Sequence, residues 1–232
     1  GEWRAPTRQP TVRDLLRHTA GMTYGVFGNT EVDQLYREAG LLGDMSLAEF
    51  TKALGQLPLQ YDPGSQWHYS VSVDVQGRLV EVLSGMSFGE FLKQRVFDPL
   101  DMRDTDFQVN EGNKDRLAQM YKPQGVDANN FFSPATGSGL EVADAFASAR
   151  VIYGGKFESG GGGLVSTARD YLRFSQMLLN GGELDDFRLL SPITVRHMRT
   201  NHLPDGKDMA QKWDTLWDTF EGWRHHVPEC FL

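Results

Sequence analysis

Hydrophobic residues recur with the 3.6-residue period of an α-helix in several short segments of this chain. Three of them share the same boundary residues: a hydroxyl side chain with an acid three positions later at the start, and glycine at the end. These segments span 11–21, 46–55 and 167–182. A capping box satisfies free N–H groups of the first helical turn, and glycine suits the residue that ends a helix. The pattern therefore predicts three helices with these bounds.

Two more segments carry helix starts of other kinds. Ser191 followed by Pro192 predicts a helix over 192–200, because serine caps the N-terminus and proline fits the first turn. Asn29 and Thr30 predict the start of another, whose periodic positions are Val32, Leu35, Tyr36 and Ala39.

Signals for β-strands are few. The stretch 162–167 and the region of Phe107 are the candidates. The chain is therefore predicted to be rich in helix, with long irregular connections around 103–165.

The pentapeptide GMSFG, residues 85–89, matches G-x-S-x-G, the motif around the nucleophilic serine of α/β-hydrolases. That motif requires a strand before the serine. The preceding stretch 71–79 alternates like a strand, but the alternation breaks at Leu79 and Val80, and Glu81 falls where a buried strand needs an apolar residue. As a helix, this stretch places Val75, Leu79, Val82 and Leu83 on one side and ends at Gly85.

Ser87 also has a structural interpretation. Ser87 and Glu90 form S-x-x-E, a capping box, and Met86 with Phe91 forms the hydrophobic contact that often accompanies it. We therefore interpret Ser87 as a helix cap. An α/β-hydrolase that uses Ser87 as its nucleophile stays open as an alternative.

Composition excludes several classes of function. Of the 232 residues, 40% are hydrophobic and 23% charged, and the formal net charge is −8. We expect no nucleic-acid partner, because phosphate backbones bind basic faces. No stretch has the apolar length of a membrane span, and the first residues lack the apolar core of a signal peptide. We expect a cytoplasmic protein, with a periplasmic or secreted location left open.

No metal or other cofactor is expected. The one cysteine, Cys230, excludes an internal disulfide framework. It follows His225, His226 and Glu229, which are residue types that bind zinc. Adjacent histidines in a tail are more often exposed residues, so we predict no metal site.

Four stretches in order resemble one known family. They are TVRDLLRHTAGMTYG (11–25), YDPGSQWHYS (61–70), PLDMRDTDF (99–107) and GGGGLVSTARDYLRFSQMLLNGGE (160–183). The set resembles serine β-lactamase-related proteins. It is most similar to family VIII carboxylesterases, which are relatives of class C β-lactamases and D-alanyl-D-alanine carboxypeptidases.

The resemblance implies an α+β fold of the β-lactamase/transpeptidase-like type. This chain would hold mainly the helical region, with a reduced or incomplete antiparallel sheet. Chemistry in that family uses a serine and lysine in S-x-x-K, a tyrosine in Y-x-N and a K-T-G-like box. The serine attacks the acyl carbon, the lysine and tyrosine move its proton, and backbone N–H groups hold the oxyanion. The implied substrates are small, short-chain esters.

Tyr69 matches the motif tyrosine and is the one catalytic residue that the resemblance assigns in this chain. The third motif position holds Val71 in place of asparagine. In family terms this departure is esterase-like, because the asparagine helps to hold the amide side chains of β-lactams and peptides. On its own, Tyr69 would be a half-buried aromatic residue before a helix.

The other two family motifs are missing. No serine or threonine in the chain has lysine three positions later, and the residues after 201–204 contain no K-T-G-like box. We therefore expect a fragment without its nucleophile and with impaired catalysis. It would have a partial family domain over 1–204 and an atypical C-terminal helix or tail over 205–232. In that tail, an amphipathic helix is predicted from Trp213, Leu216, Trp217 and Phe220.

A small sheet would leave apolar helix faces uncovered. Such surfaces are often covered by self-association, so we expect a homo-oligomer. The alternative to an esterase scaffold is accordingly a non-catalytic, self-associating or binding protein derived from it.

Overall fold

The computed structural model describes residues 3–125, 136–142 and 155–206. Helices dominate these ranges. They are α1 (Val12–Leu16), α2 (Glu31–Glu38), α3 (Leu47–Leu54), α4 (Ser72–Ser84), α5 (Phe88–Leu92), α6 (Ala168–Leu179) and α7 (Pro192–Met198). A π-helical turn over Lys93–Phe97 continues α5, and 3₁₀ turns lie at Glu111–Arg116 and Pro204–Gly206.

Two small antiparallel sheets accompany the helices. Strand β1 (Tyr121–Pro123) pairs with β2 (Leu140–Val142), and β3 (Glu183–Leu184) pairs with β4 (Phe187–Arg188). The expectation of a helix-rich chain with a reduced antiparallel sheet is confirmed.

The strands predicted at 162–167 and around Phe107 are wrong. In the described part of the chain, these regions form an isolated antiparallel bridge between Asp106 and Val165. The bridge does not extend because Gly163 folds back, donating its N–H to the carbonyl of Ser159, and Thr167 already caps α6.

The predicted capping boxes are present at Thr11, Ser46 and Ser87, where side chain and backbone exchange hydrogen bonds. Thr30, predicted only as part of a helix start, also forms a capping box, with Asp33. Ser191 also caps α7 as predicted. A cap replaces water as the partner of the first N–H groups, and each contributes about 1 kcal/mol to helix stability.

Two predicted helix features are wrong. Helix α1 ends at Leu16 rather than Gly21, because His18 takes a left-handed φ of 54° and the N–H of Thr19 returns to the carbonyl of Asp14 at 2.8 Å. At α6, Thr167 caps the helix, but the Asp170 carboxylate binds the backbone N–H of Asp104 at 2.7 Å instead of returning to the cap.

The stretch 71–79 is helical, which removes the strand that a nucleophile elbow requires. Gly85 ends α4 with a φ of 72°, and Ser87 caps α5. The alternative of an α/β-hydrolase using Ser87 is therefore wrong. The predicted apolar side of α4 is only partly covered, since Val82 and Leu83 are 62% and 78% exposed.

The described core has two clusters. The larger joins α2, α3 and the start of α4, and includes the aromatic rings of Phe50 and Phe157, which are tilted by 50° with centroids 5.2 Å apart. The smaller packs the end of the π-helical turn and the residues after it against α6, and consists of Phe97, Leu100, Met102 and Met177.

Three predictions bear on the ends and the environment of the chain. The predicted boundary at 204/205 stays a prediction, and the tail residues 207–232, including the proposed Trp213–Phe220 stripe and His225–Cys230, lie outside the described residues.

None of the helices in residues 3–125, 136–142 and 155–206 has the length and hydropathy that a membrane crossing requires.

Candidate active site

The segment after α1 lies against the segment before α4. Backbone N–H groups of His68 and Gly64 donate to the carbonyls of His18 and Thr19 at 2.8 and 2.7 Å. Farther along, the N–H of Gln60 donates to the carbonyl of Gly21 at 2.7 Å. These bonds bring together two of the motif stretches that the sequence singled out.

Tyr69 stands where the two segments meet, immediately before α4. The residue is 39% exposed, and its ring centroid lies 5.1 Å from those of His18 and Tyr24. Phe27 at 5.6 Å and Trp67 at 6.4 Å complete the cluster. Aromatic contacts at these separations add to the stability from burial alone. The result is a firmly packed tyrosine with one accessible side.

His18 is the imidazole of this aromatic cluster. The backbone N–H of Ser70 donates to its Nδ1 at 3.3 Å, so this nitrogen acts as an acceptor. Burial, with a smaller contribution from His68, lowers the pKa of His18 below its ordinary value of 6.5. The ring therefore packs against Tyr69 without adding a positive charge at neutral pH.

Asp74 places a carboxylate inside the fold on the first turn of α4. Its side chain is fully buried. Oδ1 accepts hydrogen bonds from the hydroxyl of Ser159 at 2.5 Å and the backbone N–H of Gly161 at 3.2 Å. Burial raises the pKa of Asp74, and the hydrogen bonds from Ser159 and Gly161 oppose that rise.

Tyr24 connects Asp74 to Tyr69. Its hydroxyl donates a long hydrogen bond of 3.5 Å to Oδ2 of Asp74. Burial raises the pKa of Tyr24 far above its ordinary value of 10.0, and the charge of Asp74 and the interaction with Tyr69 act in the same direction. Tyr24 is therefore held as a neutral hydroxyl next to the more exposed Tyr69.

The glycine-rich loop 160–163 packs against the start of α4 and against Tyr24. A Cβ atom at Gly160 would lie 2.4 Å from the carbonyl oxygen of Val73, and one at Gly161 would lie 2.2 Å from the Tyr24 hydroxyl. A side chain at Gly160 would collide with backbone, and one at Gly161 would require Tyr24 or the loop to shift. The predicted tight strand entry is instead a loop that packs on the start of α4.

A second cluster of polar side chains surrounds Asp14 of α1. The buried carboxylate of Asp14 binds Arg8 at 2.7 Å and Arg17 at 3.1 Å, and it also accepts from Thr11 and Thr19. The Arg8 side chain lowers the pKa of Asp14 far below its usual range, with Thr11 and Arg17 contributing and burial opposing. Arg17 also donates to the carbonyl of His202 at 3.1 Å. This cluster anchors the helix from which the Tyr24 segment departs.

A surface groove lies elsewhere, away from Tyr69. It has a volume of about 1230 Å³ and is walled by Trp3, Tyr36, Leu54, Tyr61 and other residues, whereas Tyr69 lies outside its lining. Among the described residues, no group of three or more histidine, cysteine or acidic side chains could hold a metal ion. The described polar groups around Tyr69 are hydroxyl groups, an imidazole and a carboxylate.

The sequence singled out Tyr69, whose catalytic role stays a prediction, but it did not single out the residues around it. Tyr24 lies in the quoted motif TVRDLLRHTAGMTYG and Asp74 follows Tyr69 by five positions, so both were inside stretches already singled out. The available signal was a carboxylate among the apolar positions Val71 and Val75 of a helix. A carboxylate on the apolar side of a helix becomes buried, and a buried carboxylate needs hydrogen-bond partners.

Comparisons with known proteins agree on one family. A family model described as Beta-lactamase matches residues 3–223. Protein Rv1367c of Mycobacterium tuberculosis (strain ATCC 25618 / H37Rv) is 36% identical over 196 residues, which are 84% of this chain and 45% of that protein. Esterase EstB of Burkholderia gladioli is 34% identical over 169 residues, which are 70% of this chain and 43% of the esterase.

A solved structure supports the same assignment. EstCE1, described as a hydrolase with promiscuous acyltransferase activity, matches with a TM-score of 0.65 and 26% identity, covering 80% of this chain and 49% of that chain. This chain thus spans about half the length of the curated relatives that it matches.

Proposed function

Because this chain belongs to the beta-lactamase family, we propose that it is part of a serine esterase of the family VIII type and carries the tyrosine of that active site. The serine β-lactamase-like resemblance and the α+β fold are confirmed by the family match and by the fold of EstCE1. The finer assignment to family VIII and to short-chain esters is our proposal, and similarity to the esterase EstB supports it.

The observation that carries the proposal is the environment of Tyr69. Its ring is packed on four aromatic neighbours, yet the residue is 39% exposed. A residue that exchanges protons with a substrate needs both a fixed position and access. We propose that the Tyr69 hydroxyl moves the proton of an incoming serine nucleophile, and that this serine and its lysine lie outside the 232 residues.

The proposed reaction forms and breaks an ester. The serine oxygen bonds to the carbonyl carbon of the substrate, the alcohol leaves with the proton delivered through Tyr69, and water then releases the acid from the acyl-enzyme. The chain by itself would therefore neither form the acyl-enzyme nor turn over ester.

The test transfers this chain into an active relative. In EstB, the matching segment is replaced by that of this chain, and hydrolysis of p-nitrophenyl butyrate is measured. The chimera should be active, and Tyr69→Phe should reduce kcat by about 10²–10⁴-fold. Tyr121→Phe, at an exposed tyrosine of β1, is the matched control and should keep full activity. A folded chimera whose turnover survives Tyr69→Phe would contradict the proposal.

The isolated chain provides the second half of the test. We expect a fluorophosphonate probe to label no serine in it, and we expect no turnover of p-nitrophenyl butyrate above buffer. Labelling at any serine of this chain would show that the nucleophile lies within the 232 residues.

A second candidate is a non-catalytic, self-associating protein derived from the same scaffold. The observation that favours it is a set of exposed aliphatic side chains at 65–78% exposure: Leu16, Leu83, Leu172, Leu179 and Ile193. Light scattering decides the association. A monodisperse species of 26 kDa would count against an oligomer of this chain.

A further inference from the structure

Asp74 lies next to the candidate site without reaching its accessible side. Its carboxylate is fully buried, so it does not touch a substrate that approaches Tyr69 from solvent. It nevertheless binds two separate parts of the chain. Oδ1 holds the loop through Ser159 and Gly161, and Oδ2 faces the hydroxyl of Tyr24.

We propose that Asp74 is a positioning residue of the candidate site: it orients the Tyr24 hydroxyl and fastens the glycine loop, and so fixes the surroundings of Tyr69. This inference rests on the proposed function, because it assigns Asp74 a role toward the same tyrosine. It goes further by naming the carboxylate that gives Tyr24 a different hydrogen-bonding environment from Tyr69.

The geometry explains how the distinction arises. Tyr24 can donate its one hydroxyl proton to the acceptor Oδ2, which leaves its oxygen free to accept. Tyr69 has no such carboxylate among its described hydrogen bonds and is the more accessible ring. Tyr24 therefore keeps its proton, and Tyr69, to which the proposed function assigns the proton transfer, is the more accessible of the two.

The close approach of the glycine loop 160–163 also restricts the position of the Tyr24 hydroxyl. The α-carbon of Gly161 lies so close to Tyr24 that a Cβ atom would be 2.2 Å from the hydroxyl oxygen and 3.2 Å from Oδ2 of Asp74. The Tyr24 hydroxyl is thus enclosed between a backbone and a carboxylate. Burying a carboxylate is costly unless hydrogen bonds compensate it, and here Ser159 and Gly161 provide them.

The groups that face Asp74 are few and identified. Tyr24 comes from the segment after α1, and Ser159 and Gly161 come from the loop. Tyr69 interacts through Tyr24. A titration seen at Tyr24 can therefore be traced to Asp74 with a small number of variants.

The experiment is a pH titration of the intact chain by NMR, with ¹³C labels at tyrosine Cζ and aspartate Cγ. Tyr24→Phe assigns the Tyr24 signal, and Asp74→Asn assigns the Asp74 signal. In the wild-type chain, the Tyr24 signal should show a step at the pH where Asp74 titrates, above the ordinary aspartate pKa of 3.8. In Asp74→Asn this step should disappear.

The high-pH side of the titration supplies a second readout. In the wild-type chain the Tyr24 signal should stay unchanged as far as the fold persists. In Asp74→Asn its pKa should fall by at least about one unit, because a carboxylate charge no longer opposes ionisation while burial remains. Asp170→Asn, at another fully buried aspartate, is the matched control and should leave Tyr24 unchanged.

The outcomes separate this inference from the proposed function. A wild-type Tyr24 signal that does not respond to Asp74, or an equal response to Asp170→Asn, would overturn it, and the wild-type measurement decides even if Asp74→Asn fails to fold. None of these readings depends on ester turnover. Suppose that the chimera keeps its ester turnover in Tyr69→Phe while the Tyr24 signal still responds to Asp74. That result would reject Tyr69 as part of an esterase site and would leave the coupling between Asp74 and Tyr24 in place.

Discussion

The backbone of Gly161 lies against the hydroxyl of Tyr24, so closely that a Cβ atom there would stand 2.2 Å from the oxygen. We expect Gly161→Ala to push the loop or the tyrosine aside and to lower the free energy of unfolding by about 1–3 kcal/mol, the usual cost of overpacking. Urea denaturation measures it. Gly162→Ala is the control, because a Cβ there meets nothing within 4 Å. Equal stability of the two variants would contradict the packing described.

The buried carboxylate of Asp14 should make stability depend on pH. Its pKa is lowered in the folded state, so its stabilising effect is full above the ordinary value of 3.8 and is lost as pH falls through and below that value. Asp14→Asn should cost about 2–3 kcal/mol at pH 7, because its arginine partners lose a buried counter-charge.

The measurement is the free energy of unfolding from pH 7 to pH 2. The difference between wild type and Asp14→Asn should shrink as pH falls below about 4. Asp98→Asn removes a carboxylate that is 57% exposed and should have a smaller effect. A difference that grows toward low pH would show that the sign of the linkage is wrong.

Ser87 should affect stability alone. Its hydroxyl accepts from the N–H of Glu90 at 3.2 Å, so Ser87→Ala removes a helix cap and should cost about 1 kcal/mol in the free energy of unfolding. In the EstB chimera, the same variant should leave turnover of p-nitrophenyl butyrate unchanged at a temperature where the protein stays folded. Loss of turnover with full stability would reinstate Ser87 as a functional residue.

Two leucines offer a matched test of the core. Leu100 is fully buried in the smaller cluster, whereas Leu83 on α4 is 78% exposed. Leu100→Ala should lower the free energy of unfolding by about 2–5 kcal/mol, because it leaves a cavity. Leu83→Ala should change it by less than about 0.5 kcal/mol. Thermal or urea denaturation measured at one protein concentration checks both values.

Local capping chemistry was the most predictable part of the fold. Thr11, Thr30, Ser46, Ser87 and Ser191 each cap a helix as the sequence indicates, because a cap depends on residues three positions apart. The length of α1 was less predictable. It ends early because His18 pairs with the segment 60–71, which lies about 50 residues away in sequence.

The candidate site shows the same division. Tyr69 is predicted from its motif, and its role stays a prediction, whereas the pairing of Asp74 with Ser159 joins residues 85 positions apart and leaves no local pattern. The side of α4 was misjudged for a related reason. On α4, Asp74 and Gly77 are buried, whereas Leu83 is exposed. Gly77 is buried because Leu47 and Phe88 pack so closely on it that little room remains for a side chain. Asp74 is buried because Ser159 and Gly161 bind its carboxylate.

The hydrogen bond from Arg17 to the carbonyl of His202 has a consequence for the order of folding. It joins residues 185 positions apart, whereas Gly161 and Asp74 are separated by 87 and a capping pair by 3. Loop-closure entropy rises with such separations, and contacts between distant residues slow folding. We expect the helix starts to form first, the Asp74 contacts next and the Arg17–His202 contact last. During synthesis, the contact between Asp74 and Gly161 can form only once residue 161 has emerged, and the contact between Arg17 and His202 can form only after residue 202.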